Sequence, residues 1–192
     1  MKTEQQLSYD IQNGVDGARK GLYDRYAGYL MAVCMRYVAD RESARDVLQD
    51  SFLKVFTSIS NFHYRGEGSL KAWLTRVTAN ECINWLRQRN RQFITEQEAG
   101  REEAAALRAG FAMEEEEEPD VGSLSMDDLQ LLITELPAGY RAVFNMFVFE
   151  QRSHKEIAAL LGIKENSSAS QLLRAKKILA RRINELIKHQ KT

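Results

Sequence analysis

Seven lysine and arginine residues lie between positions 166 and 192, a stretch in which Glu185 is the single acidic residue. Small polar side chains precede these cations along the chain. Arginine and glutamine can form paired hydrogen bonds with base edges in the major groove of DNA, and lysine can contact phosphates. The residue types in this stretch therefore favour nucleic-acid binding.

Helical spacing divides this stretch into two faces. Apolar residues three and four positions apart are expected to face a core, and they are Leu172, Ala175, Leu179, Ile183 and Leu186. Polar residues on the other face, near a predicted helix start at Asn166 or Ser167, are expected to read base edges, and they are Ser167, Ser170, Gln171, Arg174 and Lys177. Lys176, Arg181 and Arg182 would meet phosphates or solvent. The alternative is a merely solvated basic face.

A short helix and a turn must position this basic helix. Ser153 and Glu156 have the spacing of a capping box at the start of a helix that runs to Leu161. Gly162 fits the end of that helix, where glycine adopts a left-handed conformation without steric cost, and Ile163 is expected to turn inward. Ala158 and Ala159 are small where two helices would cross. The order predicts a helix-turn-helix.

Two further helices are predicted just before this motif. One runs from Met126 to Glu135 and stops before Pro137, because the residue before a proline avoids helical geometry. The next has an apolar face formed by Tyr140, Val143, Phe144, Phe147 and Val148.

The first half of the chain also has helical periodicity throughout. A helix is predicted from Ala18 to Val38, with an apolar face of Leu22, Tyr26, Tyr29, Leu30, Val33 and Tyr37. Asp40 is expected to cap a second helix, and the Ser69 hydroxyl a third. The third helix would bury Trp73 in its core stripe. Residues 62–69 are predicted to form an exposed loop, because two glycines within three positions disfavour a helix.

A net charge of zero conceals an uneven distribution of charge. Residues 1–91 hold 14 Lys and Arg against 10 Asp and Glu, residues 92–122 hold 2 against 10, and residues 123–192 hold 11 against 7. The helical periodicity predicts an all-α protein, and the charge distribution divides it into two small helical domains, 1–91 and 123–192, joined by an acidic linker. The linker includes Glu114 to Glu118, and two hypotheses apply to it: a solvated tether, or a mimic of nucleic acid that competes for the basic faces.

The same sequence argues against several other classes of protein. No apolar run is long enough to span a bilayer, and the first ten residues lack a secretory signal. We therefore expect a cytoplasmic location without stable membrane insertion. Cys34 and Cys82 lack neighbours at metal-ligand spacing and are expected to be buried thiols. No nucleophile-base pair or phosphate-binding glycine loop is present, so neither an enzyme nor a cofactor or metal is predicted.

Taken together, the two halves resemble a bacterial RNA polymerase sigma factor of the extracytoplasmic-function group, which keeps sigma domains two and four. Residues 42–56 look like the core-polymerase-binding helix of this family, although Arg45 stands where an acid is common. Residues 68–80 are similar to the promoter-melting segment, with Trp73-Leu74 followed by Asn80. Residues 162–176 look like the segment that recognises the minus-thirty-five element, with Ala169 and Gln171 where basic residues are common.

The resemblance implies three sets of site residues. Those implied to bind core RNA polymerase are Asp46, Leu48, Gln49, Asp50 and Leu53. Those implied to contact the minus-ten element, where a base would be flipped out, are His63, Tyr64, Asn80, Asn84 and Arg87. The face from Ser167 to Lys177 would read the minus-thirty-five element.

The resemblance also implies partners and leaves alternatives. It implies core RNA polymerase, promoter DNA and an anti-sigma factor that hides the DNA-binding faces. One alternative is an autonomous helix-turn-helix regulator that acts without core polymerase. Another is a helical adaptor that binds only proteins.

Overall fold

A computed structural model describes residues 2–89 and 124–190, and this described part is all-α, with eight α-helices and one short 3₁₀ helix. The helices are α1 (Glu4–Gln12), α2 (Ala18–Tyr37), α3 (Arg41–Ser58), the 3₁₀ helix (Ile59–Asn61), α4 (Ser69–Arg89), α5 (Met126–Thr134), α6 (Ala138–Val148), α7 (His154–Leu161) and α8 (Glu165–Gln190). The prediction of an all-α chain is confirmed.

The chain divides into two compact units, Met1–Trp85 and Leu86–Thr192, and the division falls within α4. The acidic segment 92–122 lies outside the described residues. Its role as a linker, and the domain boundaries at 91 and 123, therefore stay predictions.

Helices α2 and α3 pack against each other and form the centre of the N-terminal unit. Asp40 caps α3 as predicted, because its carboxylate accepts hydrogen bonds from the backbone N–H groups of Glu42 and Ser43. The predicted apolar stripe of α2 is buried except at Tyr29, which is 38% exposed. Its hydroxyl lies 3.2 Å from Thr75 Oγ1, at the edge of the buried stripe, where a tyrosine can keep its polar end in water.

Helix α1 was not predicted, so the N-terminal unit is more than a three-helix bundle. Thr3 caps this helix by accepting a hydrogen bond from the backbone of Gln6. Leu7 and Ile11, one turn apart, bury the apolar side of α1. Two such residues give too short a periodic pattern to indicate a helix from sequence alone.

Helix α4 begins at Ser69 as predicted, but the Ser69 hydroxyl does not cap it. The hydroxyl instead donates to the Gly66 carbonyl at 2.6 Å and accepts from the Arg65 backbone at 3.2 Å, which closes the turn that precedes the helix. Leu70 and Leu74 are fully buried on the core side of α4, and Trp73 is half-buried.

One core cluster of the C-terminal unit lies between α5 and the middle of α8, and it is formed by Leu132, Ile133, Leu136, Ala175, Leu179 and Ile183. Val143 and Met146 of α6 and Ile157 of α7 are fully buried as well. Arg141 is buried at the start of α6 and donates to the carbonyls of Thr134 and Leu136, so it satisfies the C-terminal end of α5. Leu186, predicted to face the core, is half-buried, because it lies near the end of α8.

Helices α7 and α8 form the predicted helix-turn-helix. The capping box of Ser153 and Glu156 is present in full, and Gly162 has a left-handed conformation with φ of 70°. Helix α8 begins at Glu165, one or two residues earlier than predicted. Ala158 is buried whereas Ala159 is exposed, so only one of the two alanines lies where the helices cross.

Candidate nucleic-acid interface

The five residues predicted to read the minus-thirty-five element lie on one side of the first half of α8. Ser170 and Lys177 are exposed, and Ser167, Gln171 and Arg174 are half-buried. Their spacing of three and four positions places them on one stripe along the helix. Arg174 Nη1 lies 3.5 Å from the Tyr140 hydroxyl of α6, so the arginine is oriented by a second helix. This stripe presents hydroxyl, amide and guanidinium groups on one side of the helix.

A contact beneath this stripe joins α8 to the two helices before it. His154 Nδ1 is hydrogen-bonded to Ser168 Oγ at 3.0 Å, and Ser168 is fully buried. The imidazole also stacks on Phe147 of α6, with ring centroids 4.8 Å apart. The sequence analysis assigned no role to this pair. The sequence offered one signal for Ser168, because it lies in a run with Ser167 and Ser170, which are both on the polar face.

The loop predicted to contact the minus-ten element is exposed only after its first residue. His63 is exposed and Tyr64 is half-buried, so both side chains keep the accessible surface that a base contact requires. Phe62 is 6% exposed and its ring centroid lies 5.4 Å from that of Trp73, so including Phe62 in the exposed loop was wrong. Because Phe62 is packed in the core, the loop begins at a buried residue.

Helix α4 carries the other three residues predicted for the minus-ten element along one side. Asn80 is half-buried, and Asn84 and Arg87 are exposed at spacings of four and three. Arg76, one turn before Asn80, is exposed and belongs to the same stripe, although the sequence analysis did not select it. Lys71 lies on a different side of α4, where its Nζ is 4.2 Å from the centroid of the Tyr29 ring.

The residues predicted to bind core polymerase form an exposed surface on α3, with one exception. Asp46, Gln49, Asp50 and Leu53 are exposed, and Leu53 is 59% exposed among charged neighbours. Leu48 is 8% exposed, so most of its side chain is buried, and its contact with core polymerase stays a prediction.

Two titratable groups in the N-terminal unit depart from their ordinary behaviour. Burial raises the pKa of the Tyr26 phenol, and its hydrogen bond to Glu4 raises it further, so the phenol stays a donor at neutral pH. Hydrogen bonds from Lys2 and Gln6 hold the pKa of Asp10 below its usual value. Cys34 and Cys82 are both buried, as predicted, and neither forms a disulfide. No cluster of three potential metal ligands occurs among the described residues.

Comparison with known families matches both units of this architecture. Residues 22–92 match Sigma-70 region 2, and residues 126–179 match Sigma-70, region 4. The chain belongs to the sigma-70 family. Its relatives place this sigma factor in the extracytoplasmic-function group. Helix α1 precedes the residues that match region 2.

Several relatives are similar to this sigma factor over almost their whole length. The sigma-H factor of Pseudomonas aeruginosa is 26% identical over 189 residues, covering 96% of each chain. The extracytoplasmic-function sigma-E factor of Haemophilus influenzae is 27% identical over 188 residues, covering 96% of this chain and 97% of its own. The sigma-E factor of Escherichia coli K12 is 26% identical, covering 97% of each chain.

Solved structures similar to this sigma factor include two complexes. One is CnrH with the cytosolic domain of CnrY, with 20% identity, a TM-score of 0.47, and coverage of 93% of this chain and 96% of CnrH. The other is RpoE with the anti-sigma factor NepR from Bartonella quintana, with 23% identity, a TM-score of 0.47, and coverage of 88% and 96%. Across residues 2–89 and 124–190, the helices are too short or too polar to cross a membrane.

Proposed function

We propose that this sigma factor binds core RNA polymerase, directs it to promoters that have two recognition elements, and helps to open the duplex. The observation that carries the proposal is the presence in one chain of both matched regions, each with an exposed polar stripe on a long helix. A repressor would need the helix-turn-helix but not the stripe of Asn80, Asn84 and Arg87 on α4. The protein is proposed to act in the cytoplasm, where its polymerase works.

The two DNA contacts differ in their chemistry. Ser167, Ser170, Gln171, Arg174 and Lys177 are proposed to read base edges and phosphates of duplex minus-thirty-five DNA. His63, Tyr64, Asn80, Asn84 and Arg87 are proposed to contact the minus-ten element after a base leaves the stack. Stacking on an aromatic side chain contributes about 1 to 3 kcal/mol per base, which offsets the few kcal/mol needed to unstack a step.

The exposed surface of α3 is proposed to bind core polymerase. Asp46, Gln49 and Asp50 supply acceptors and an amide, and Leu53 supplies an apolar side chain that would lose water on contact. RNA synthesis would belong entirely to the polymerase, so the sigma factor itself would be neither an enzyme nor a cofactor-binding protein. An anti-sigma factor is the proposed antagonist that hides these surfaces.

In vitro transcription with purified protein and core RNA polymerase tests this proposal. Start sites mapped after overexpression supply the promoters, and we expect transcripts only when both proteins are present. Asn80→Ala should impair use of the minus-ten element and leave minus-thirty-five binding by the C-terminal unit unchanged. Tight binding of the protein alone to an operator, without any transcription by the reconstituted holoenzyme, would instead identify an autonomous regulator.

A further inference from the structure

Helix α1 contacts both ends of the loop that carries His63 and Tyr64. At the beginning of the loop, Gln12 Nε2 donates to the carbonyl of Ile59 at 2.8 Å and to the carbonyl of Phe62 at 2.9 Å. One amide therefore binds both the first residue of the 3₁₀ helix and the first residue of the loop. The Phe62 carbonyl is the last backbone acceptor before His63.

At the other end of the loop, the Glu4 carboxylate caps α4 in place of a local side chain. Glu4 Oε2 accepts from the backbone N–H of Leu70 at 3.1 Å, and Oε1 accepts from the Tyr26 hydroxyl at 2.8 Å. Glu4 is only 3% exposed. A carboxylate at the N-terminus of a helix is favoured by the helix dipole and by the unpaired backbone donors there.

Arg25 of α2 adds a third link between the N-terminal segment and the loop. Its Nη1 donates to the Lys2 carbonyl at 2.9 Å, and its Nη2 lies 3.9 Å from Glu67 Oε1 in the loop. The Glu67 side chain is 71% exposed, so this ion pair contributes little to stability.

We infer that α1 is a positioning helix for the loop of residues 62–69, with Gln12 fixing the beginning of the loop and Glu4 fixing its end. This inference rests on the proposed contact between the loop and minus-ten DNA. With both ends held, less conformational freedom remains to be lost when His63 and Tyr64 meet a base. Glu4 and Gln12 act through the loop backbone and do not themselves touch DNA.

Gln12→Leu removes both donors at the beginning of the loop with little change in volume, and Asn13→Ala is its matched control. Asn13 is exposed, and its amide bonds only within α1, to the Tyr9 carbonyl at 2.8 Å. Holoenzyme made with each variant would be mixed with a mapped promoter that carries 2-aminopurine in the minus-ten element. The rise in fluorescence reports unstacking of that base.

We expect Gln12→Leu to slow opening at least fivefold and to leave binding to core polymerase and to duplex minus-thirty-five DNA within twofold of the wild type. Amide hydrogen exchange in residues 62–69 should accelerate in Gln12→Leu and not in Asn13→Ala. Glu4→Gln, which keeps the size of the side chain and removes its charge, should slow opening in the same direction. An unchanged melting temperature of Gln12→Leu would separate positioning from general loss of structure.

Two further outcomes distinguish this inference from the proposed function. If Gln12→Leu and Asn13→Ala open the promoter equally fast while His63→Ala and Tyr64→Ala slow it, the positioning role of α1 is wrong and the loop assignment stands. If His63→Ala, Tyr64→Ala and Asn80→Ala all open the promoter at the wild-type rate, the loop assignment fails and this inference fails with it.

Discussion

Ser168 and His154 show how single side chains hold the recognition helix against its neighbours. The serine hydroxyl is fully buried, and its hydrogen bond to the imidazole is 3.0 Å long. Burying a hydroxyl without a partner costs roughly 1 to 3 kcal/mol, so the bond to His154 is what makes a serine tolerable here. The two residues together set how α8 meets α7.

Ser168→Ala is expected to lower the free energy of unfolding by about 1 kcal/mol, because the imidazole loses its buried partner. Urea denaturation of the full chain measures this loss, and DNA binding at a fixed protein concentration should fall with it. Ser170→Ala is the control for stability alone, since Ser170 is exposed on the same helix and is itself a proposed DNA contact. Equal losses in the two variants would show that the buried bond contributes nothing of its own.

Arg174→Ala is expected to weaken binding to a minus-thirty-five duplex by about 1 to 3 kcal/mol and to relax sequence preference at one position. Fluorescence anisotropy with matched and mismatched duplexes measures both effects. Arg181→Ala is the control, because Arg181 is exposed further along α8 and pairs with Glu185 at 3.0 Å. A loss in Arg174→Ala that is identical on specific and unrelated DNA would assign this arginine to phosphate contact instead.

At the scale of elements, the turn before α8 and the outer surface of α3 each have a distinct role. Gly162 ends α7 with φ of 70°, a conformation that L-residues with a Cβ adopt at a cost. On α3, the exposed residues alternate with buried ones so that acidic side chains and Leu53 share the solvent side. The glycine sets the direction in which α8 leaves the turn, and the pattern on α3 leaves one side of that helix accessible to a partner.

Gly162→Ala is expected to destabilise the protein by about 1 kcal/mol through backbone strain alone, since no atom lies within 4 Å of the added Cβ. Gly28→Ala is the matched control. Gly28 is exposed within α2 and also has open space around the added Cβ, so alanine should stabilise the helix by about 0.5 to 1 kcal/mol. Thermal unfolding measures both, and effects of the same sign would contradict the assignment of strain to Gly162.

Leu53→Glu is expected to weaken binding to core polymerase by on the order of tenfold, because an apolar contact would be replaced by a charge that must lose its water. Leu53 is 59% exposed, so the stability of the free protein should stay within about 0.5 kcal/mol of the wild type. Val15→Glu, at another exposed apolar residue of the same unit, is the control. Competition between labelled wild type and each variant for core polymerase measures the difference, and equal affinities would exclude Leu53 from the interface.

At the scale of the whole molecule, opposite charges along one chain balance to zero. Two basic segments flank residues 92–122, which hold 10 acidic and 2 basic residues. Charges in water are screened beyond about 8 Å at physiological salt, so a tethered acidic segment competes with DNA only when it comes close to a basic face. The tether hypothesis and the mimic hypothesis therefore predict different DNA affinities.

We expect the replacement of Glu114 to Glu118 by glutamines to leave the DNA affinity of the free full-length protein within about twofold of the wild type at 0.15 M salt, as a solvated tether requires. Anisotropy titrations at two salt concentrations would measure this. A tenfold or greater rise in affinity that shrinks as salt increases would contradict the tether and support the mimic.

Much of the fold was predictable because its signals are local. Asp40 at the start of α3, the Ser153 and Glu156 box and the glycine after α7 all act within four residues along the chain, and all were confirmed. The apolar stripes were also predictable, but their edges were not. Tyr29 belongs to the predicted stripe of α2 but is 38% exposed, because a stripe gives the direction of burial and its width depends on what packs against it.

Apart from α1, the sequence by itself determined the described helices, the turn between α7 and α8 and the residue types proposed to contact DNA, because those depend on neighbours within a turn or two. Only the tertiary structure decided what holds the loop of residues 62–69 and helix α8 in place. The Glu4 and Leu70 groups that meet are 66 positions apart, and those of Gln12 and Phe62 are 50 apart. A polar side chain has many candidate partners at such separations, and the packing of α1 against α2 and the 3₁₀ helix selects among them.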